Sequence, residues 1–295
     1  MTDRILDLSE TPARLRALNA NLVVERPGAQ DLHIPFADLA VLILAHPQVV
    51  VTQPMLAHMA DSGGVLIVCN GSRLPNGILL PVAAHFTQTE RLLAQAALKK
   101  PAKKRLWRQV VRAKIKAQAR VLNNLYGHDG GLGGLLSRVR SGDPANVEAQ
   151  AARRYWPLLF GDLRFRRDHN QHDQNRLLNY GYAVLRAVVA RAICGVGLHP
   201  SLGLNHHNRY NPYCLADDLM EPLRPLVDAV VVEHVKAFGA AGELNKQAKQ
   251  ALLEMLLDKH DFQGEARTLF DVSSRMAASL AAAVLGETQR LNLPE

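Results

Sequence analysis

The chain has 295 residues, a net charge of +8 and a hydrophobic content of 48%. That is enough apolar mass for the core of one large domain or two modest ones. Three widely spaced cysteines, Cys69, Cys194 and Cys214, without CxxC or zinc-finger spacing, exclude a disulfide framework and fit a reducing compartment. The segment MTDRILDLSETPARLR has no apolar signal-peptide region. The longest apolar run, Leu177–Leu198, is interrupted by Arg186 and Arg191 and reads as a buried helix rather than a membrane span. A cytoplasmic protein is expected.

Residues 1–84 read as short strands joined by turns. Ile5–Leu8, Leu22–Glu25 and Asp31–Pro35 alternate apolar with polar. Ala40–Leu44, Val49–Thr52 and Val65–Cys69 are continuous Val- and Ile-rich runs, as more buried strands require. Pro54–Ala60 predicts a short helix ending before Ser62-Gly63-Gly64, and Ile78–Val82 a last strand after the Pro75-Asn76-Gly77 turn. From about His85 the pattern becomes helical: Thr89–Leu98, then a long helix from Lys103 to about Tyr126. A Gly-rich loop spans Gly127–Gly134, and Leu135–Val139 forms a short helix. Asp143 is placed as N-cap and Pro144 as first residue of a helix running through Glu148 to Trp156. Leu177–Val196, a helix through Phe238, Glu243–Leu257 and Leu269–Leu285 complete the chain. The fold class is α+β: a β-rich N-terminal domain over 1–84, and a helical domain over 85–295.

Charge divides the same way. Residues 1–85 carry five Arg and no Lys against seven Asp and Glu, a net of −2, which leaves +10 for the remainder. Polyanion binding therefore belongs to the second part. Residues 99–120 hold ten Lys and Arg and no acid. Lys104, Arg108, Arg112, Lys116 and Arg120 follow one another at i, i+4, with Leu106, Val110, Ala113, Ala117 and Val121 on roughly the other side. Like charges at this spacing repel by a few tenths of a kcal/mol per pair, roughly, in an isolated helix. A merely solvated face usually mixes Glu with Lys, so the stripe is assigned to the phosphate backbone of DNA.

The stretch Leu202–Pro225 gathers His206, His207, Arg209, Asp217, Asp218 and Glu221. Two carboxylates and an imidazole meeting at one point would hold a hard divalent cation, and a carboxylate-rich set suits magnesium or manganese better than zinc. Taken alone, each residue has an ordinary explanation: Glu148 as a helix-start acid, the histidines as turn residues, the acids as a helix entry.

Together, NVEAQAARRYW (Asn146–Trp156), GLNHHNRYNPYCLADDLMEPLRP (Gly203–Pro225), WRQVVRAKIKAQARVL (Trp107–Leu122) and the run Ile34–Cys69 resemble the CRISPR-associated integrase family, the larger subunit of the spacer-acquisition complex. The likeness is greatest to members from single-effector systems and covers nearly the whole chain. It implies an N-terminal β-sandwich followed by an all-α catalytic domain. It implies Glu148, His206 and an acid, Glu221 or Asp218, as catalytic residues and ligands of Mg2+ or Mn2+, with His207 adjacent to the chosen imidazole. Phosphates would be held by Lys104, Arg108, Arg112, Lys116, Arg120 and Arg209, with help from Arg138, Arg164 and Arg166.

The implied reaction is insertion of a short double-stranded DNA fragment into CRISPR repeat DNA by 3′-hydroxyl transesterification. The implied assembly is a homodimer, two of which join a small ferredoxin-like partner in a heterohexamer, with no membrane involved. A stand-alone structure-specific metal-dependent nuclease and a non-catalytic DNA-binding scaffold are the alternative readings.

Overall fold

The computed structural model describes residues 3–168, 170–239 and 243–294. Eight strands come first: β1 (Arg4–Leu8), β2 (Ala13–Leu18), β3 (Asn21–Glu25), β4 (Leu32–Pro35), β5 (Leu39–Leu44), β6 (Val49–Val51), β7 (Val65–Cys69) and β8 (Pro75–Leu79), with helix α1 (Gln53–Asp61) before β7. They form two four-stranded sheets, ordered β1-β5-β7-β8 and β4-β3-β2-β6. Within the first sheet β1, β5 and β7 run parallel and β8 pairs antiparallel to β7. In the second, β2-β3-β4 is an antiparallel meander that β6 joins in parallel to β2.

Side-chain alternation explains why β5 and β7 are apolar throughout. Leu42 and Leu66 face the second sheet, in a core shared with Leu15, Leu22, Val24, Met55 and Met59. Val41, Ile43, Val65 and Ile67 point the other way, into the core of the helical region. The first sheet is thus covered on both faces, and a strand so placed needs no polar side. Strand β2 was not expected; its arginines, Arg14 and Arg16, alternate with buried Ala13 and Leu15, and Arg16 pairs with Glu25 at 2.5 Å.

The helical region contains α2 (Gln88–Ala97), α3 (Lys100–Tyr126), α4 (Val147–Phe160), α5 (Asn175–Gly195), α6 (Cys214–Met220), α7 (Arg224–Phe238), α8 (Lys246–Leu257) and α9 (Leu269–Leu285). A small hairpin of β9 (His260–Phe262) and β10 (Glu265–Arg267) interrupts it, so this part is predominantly rather than wholly helical. Helix α5 is long and apolar enough to cross a membrane by length and composition, but 67% of its apolar window is buried inside the fold. It is a core helix, packed on β7, β8 and α9.

Two boundaries moved for physical reasons. Helix α3 begins at Lys100 because Pro101 occupies its first turn, where a missing N–H costs nothing. Helix α4 begins at Val147, three residues later than the Asp143–Pro144 pair indicated. Asp143 and Asn146 both take left-handed backbone angles, at φ 45° and 49°. Asp143 still caps the helix, through its side chain: its two carboxylate oxygens accept from Val147 N and Glu148 N, each at 2.9 Å.

Candidate metal and DNA site

Glu148 sits in the first turn of α4, and its backbone N–H is held by the Asp143 carboxylate five residues earlier. Its Oε1 lies 2.6 Å from Nζ of Lys114, in the middle of α3. The same Nζ lies 2.6 Å from Oε2 of Glu221. Glu221 opens the short 3-10 turn, Glu221–Leu223, that links α6 to α7. Its other oxygen, Oε1, faces Arg224 at 3.2 Å. Burial alone would raise the Glu221 carboxyl, but Arg224 and Lys114 outweigh it and hold the group below its ordinary range. Glu221 Oε2 faces Lys114 as an ion pair, but without a hydrogen bond aligned on it.

Asp218 is one turn earlier, and the structure turns it elsewhere. It is fully buried, and its oxygens accept from the backbone N–H groups of Leu204, Asn205 and His206 at 2.6, 3.0 and 3.2 Å. Its Oδ1 also meets Nδ1 of His206 at 2.6 Å, and this bond lifts the imidazole above its ordinary range against the opposing effect of burial. Asp218 therefore fixes the loop and the ring, which leaves Nε2 of His206 as the ring's outward nitrogen. Gly203 makes this fold possible, because a Cβ there would collide with the His206 carbonyl and lie 2.9 Å from Asp218 Oδ2. His207 is exposed and bonds the Asn205 carbonyl at 2.7 Å. Asp217 joins Arg186 and Asn211, tying α5 to the same loop.

Among the described residues no three His, Cys, Asp or Glu side chains converge as a ready metal cage. Lys114 occupies the gap between Glu148 and Glu221. The donor set nevertheless fits a hard cation. Two carboxylates are drawn onto one point, one with a buried oxygen that accepts no aligned hydrogen bond, and a carboxylate-oriented imidazole shares a cleft with Glu221.

The basic stripe does not act as one surface. An i, i+4 series advances about 40° per step around an α-helix, so Lys104 and Arg120 end about 160° apart. Lys104 lines a cleft of ≈ 690 Å³ with Lys100, Lys103, Trp107 and His206. Arg108 donates to the Val139 carbonyl at 3.0 Å and Arg112 to that of Leu136, and both line a second cleft with Arg105 and Arg290. Lys116 is exposed, and Arg120 lies beside an apolar pocket behind Pro222 and Leu223. Arg209 is exposed, stacked on Tyr210. Arg138 and Arg164 are exposed, and Arg166 bonds the Leu163 and Phe165 carbonyls.

The face of α3 that meets the site is Lys103, Trp107, Val110 and Lys114. Lys103 donates to the Gly203 carbonyl at 3.2 Å, and Trp107 stands edge-on to His206 with ring centres 5.8 Å apart. These residues escaped the sequence reading, though Lys114 carried a signal: a lysine at the border of an apolar helical face calls for a buried acid. On the far side of His206 a cleft of ≈ 420 Å³ is lined by Arg167, Tyr182, Arg186, Arg224 and Glu221.

Two sheets packed on a helical region, with paired carboxylates, an oriented imidazole and flanking cationic clefts, define an α+β protein with a site suited to phosphate chemistry. The chain belongs to the Cas1 family: the family model described as CRISPR associated protein Cas1 matches residues 6–255. It is 37% identical, over 100% of its length and 97% of the relative's, to a CRISPR-associated endonuclease Cas1 of Neisseria meningitidis serogroup C. It is 29% identical to a CRISPR-associated endonuclease Cas1 of Pyrobaculum aerophilum, over 92% of this chain and 96% of that one.

Solved structures share the fold. A casposase bound to integration product superposes with a TM-score of 0.80 at 19% identity, covering 99% of this chain and 93% of that one. A Cas1 protein from Thermotoga maritima gives 0.74 at 15% identity, covering 96% and 97%. A Cas6-RT-Cas1–Cas2 complex gives 0.76 at 16% identity, covering 100% of this chain and 36% of that one.

Proposed function

We propose that this protein is a divalent-metal-dependent DNA integrase and endonuclease of CRISPR spacer acquisition, which joins the 3′-hydroxyl of a short DNA fragment to repeat DNA. The observation that carries this reading is the meeting of Glu148 and Glu221 at one point, beside an imidazole that borders two cationic clefts. Family membership and the named Cas1 endonuclease relatives support the biological setting.

Glu148, Glu221 and Nε2 of His206 would hold Mg2+ or Mn2+. When bound, the ion would polarise the scissile phosphate and stabilise charge on the leaving oxygen. Asp218 keeps the His206 ring in one tautomer and orientation. Asp143 fixes the backbone from which Glu148 projects. Arg224 neutralises one oxygen of Glu221, so the buried carboxylate stays ionised. Lys100, Lys103 and Lys104 on one side, and Arg167, Arg186 and Arg224 on the other, supply positive walls for phosphates. Strand transfer brings together two DNA segments, and two cationic clefts meeting at His206 favour that reaction over simple hydrolysis at a single bound strand.

In this reading the protein works in the cytoplasm as a homodimer with a small ferredoxin-like partner, in a heterohexamer on DNA. The likeness to the Cas1 part of a complex that also contains Cas2 supports such a partner. A plasmid integration assay tests the proposal: labelled fragment should enter repeat DNA only with the small partner and Mg2+ or Mn2+, and Glu148→Ala or His206→Ala should abolish it. Cleavage of branched DNA without partner and without insertion would instead identify a stand-alone nuclease, and no product with any metal a scaffold.

A further inference from the structure

Each oxygen of Glu221 already faces one of the protein's own cations. Oε1 faces Arg224 at 3.2 Å and Oε2 faces Lys114 at 2.6 Å. Lys114 also holds Glu148 Oε1 at 2.6 Å. Two carboxylates and two cations therefore balance, in a place where Glu221 and Lys114 are nearly out of solvent. A divalent ion added to that balanced set would leave an excess of two positive charges, which a low-dielectric site penalises heavily. One of the protein's own cations has to give way.

The surroundings decide which. Arg224 is anchored at the start of α7, lies over the Tyr182 ring at 4.9 Å and approaches Asp217 at 3.9 Å. It faces Glu221, Asp217 and the Tyr182 ring together, although its buried Nε meets no acceptor. Lys114 pairs with the two glutamates on a flexible four-carbon stem, and an ammonium is readily rehydrated.

We propose that Lys114 is a resident counter-cation: it holds Glu148 and Glu221 at ligand spacing before the divalent ion arrives, and the ion displaces its ammonium from both. Both oxygens are within 2.6 Å of one nitrogen, so they lie no more than about twice that apart, and collapse onto an ion needs only a modest further approach. The pairing removes most of the mutual repulsion of two buried carboxylates and thereby weakens ion binding to the free protein. Lys114 is a positioning residue here, acting through the glutamates. The proposal rests on the reading of Glu148, Glu221 and His206 as metal ligands.

The test is Mn2+ binding to the full-length chain without DNA, read as loss of the free-ion EPR signal, together with the melting temperature with and without Mn2+. Wild type is expected to bind, and Glu148→Gln to lose binding. Lys114→Met, which keeps length but not charge, is expected to bind Mn2+ about tenfold or more tightly. It should melt lower than wild type without metal and recover more of its melting temperature on adding Mn2+. Lys114→Gln, the milder change, should fall between, and serves if Lys114→Met does not fold. If the Lys114 variants bind Mn2+ no more tightly than wild type while Glu148→Gln abolishes binding, the metal site stands and the displacement idea is overturned. If wild type and Glu148→Gln bind Mn2+ alike, the metal reading fails and this proposal with it.

Discussion

Asp218 Oδ1 lies 2.6 Å from Nδ1 of His206, and the same carboxylate accepts the backbone N–H groups of Leu204, Asn205 and His206. One buried acid thus sets the loop, the ring orientation and the tautomer together. Asp218→Asn replaces an acceptor oxygen with a donor that faces other donors, so the loop must open. The expected result is a loss of strand transfer of about 10- to 100-fold, the usual effect of removing a partner behind a metal-ligating histidine. A loss confined to a factor of two, at unchanged melting temperature, would assign Asp218 a merely local structural role.

The same pair predicts a pH dependence. The His206 imidazolium is favoured by Asp218, so its pKa stands above the ordinary 6.5. The stability gained from that pairing is fully present below 6.5 and is lost as pH rises through the higher folded value. Metal ligation has the opposite sense, because it needs the neutral ring. In the metal-free protein the His206 ring should therefore titrate above 6.5, as followed by NMR, and Asp218→Asn should move that titration down. A wild-type ring that titrates below 6.5 without metal would contradict the pairing.

The sequence carries this site unevenly, for reasons visible in particular residues. The central strands were legible because β5 and β7 are buried on both faces and so read as unbroken apolar runs. Strand β2 was not, because its alternation is short and carries no β-branched or aromatic residue. Asp218 and Glu221 look equivalent in sequence, three residues apart at one helix end. What separates them is the Gly203–His206 loop folding back onto Asp218, a contact between residues more than ten apart that no local pattern encodes. Lys114 was hidden among the ten basic residues of positions 99–120. Its partners come from two later segments.

The clefts divide the basic helix into separable roles. Lys103 and Lys104 line the cleft that reaches His206, while Arg108 and Arg112 are tied to the carbonyls of Val139 and Leu136. Lys104→Glu should weaken DNA binding across sequences and lower the slope of log affinity against log salt by about 1. Arg112→Glu should lower the melting temperature, because it also leaves the Leu136 carbonyl without its donor. Fluorescence anisotropy at several salt concentrations and thermal melts separate the two. Equal salt slopes for wild type and Lys104→Glu would remove that cleft from the DNA path.

Behind the site, Asp228 on α7 is fully buried and receives hydrogen bonds from Tyr155, at 3.0 Å, and Tyr182. Burial pushes its carboxyl up to about 7, against the lowering effect of both tyrosines, Arg224 and Arg167. An acid raised in the folded state contributes stability that is complete below its ordinary value of 3.8 and is lost as pH rises through about 7. Asp228→Asn cannot ionise. It should flatten the fall in melting temperature that wild type shows between about pH 4 and pH 7, while costing roughly 1–3 kcal/mol where an amide donor meets a tyrosine hydroxyl. Parallel melting curves for the two proteins across that range would show that Asp228 titrates as an ordinary carboxylate.

Gly203 offers a way to disturb the imidazole without touching any charged group. Its backbone takes no special angle; the constraint is space, since a Cβ would press on the His206 carbonyl and on Asp218 Oδ2. Backbone and a fully buried carboxylate cannot yield as a flexible side-chain end would, so Gly203→Ala must displace the loop that carries His206. The helices beneath keep their cores, because Gly203 packs in a surface loop. Strand transfer should fall about tenfold or more with the melting temperature lowered by only a few degrees. Binding of DNA through Lys104, which has no bond to the loop, should survive. Full activity in Gly203→Ala would mean that the loop adjusts freely and that the Asp218 cradle does not set the position of His206.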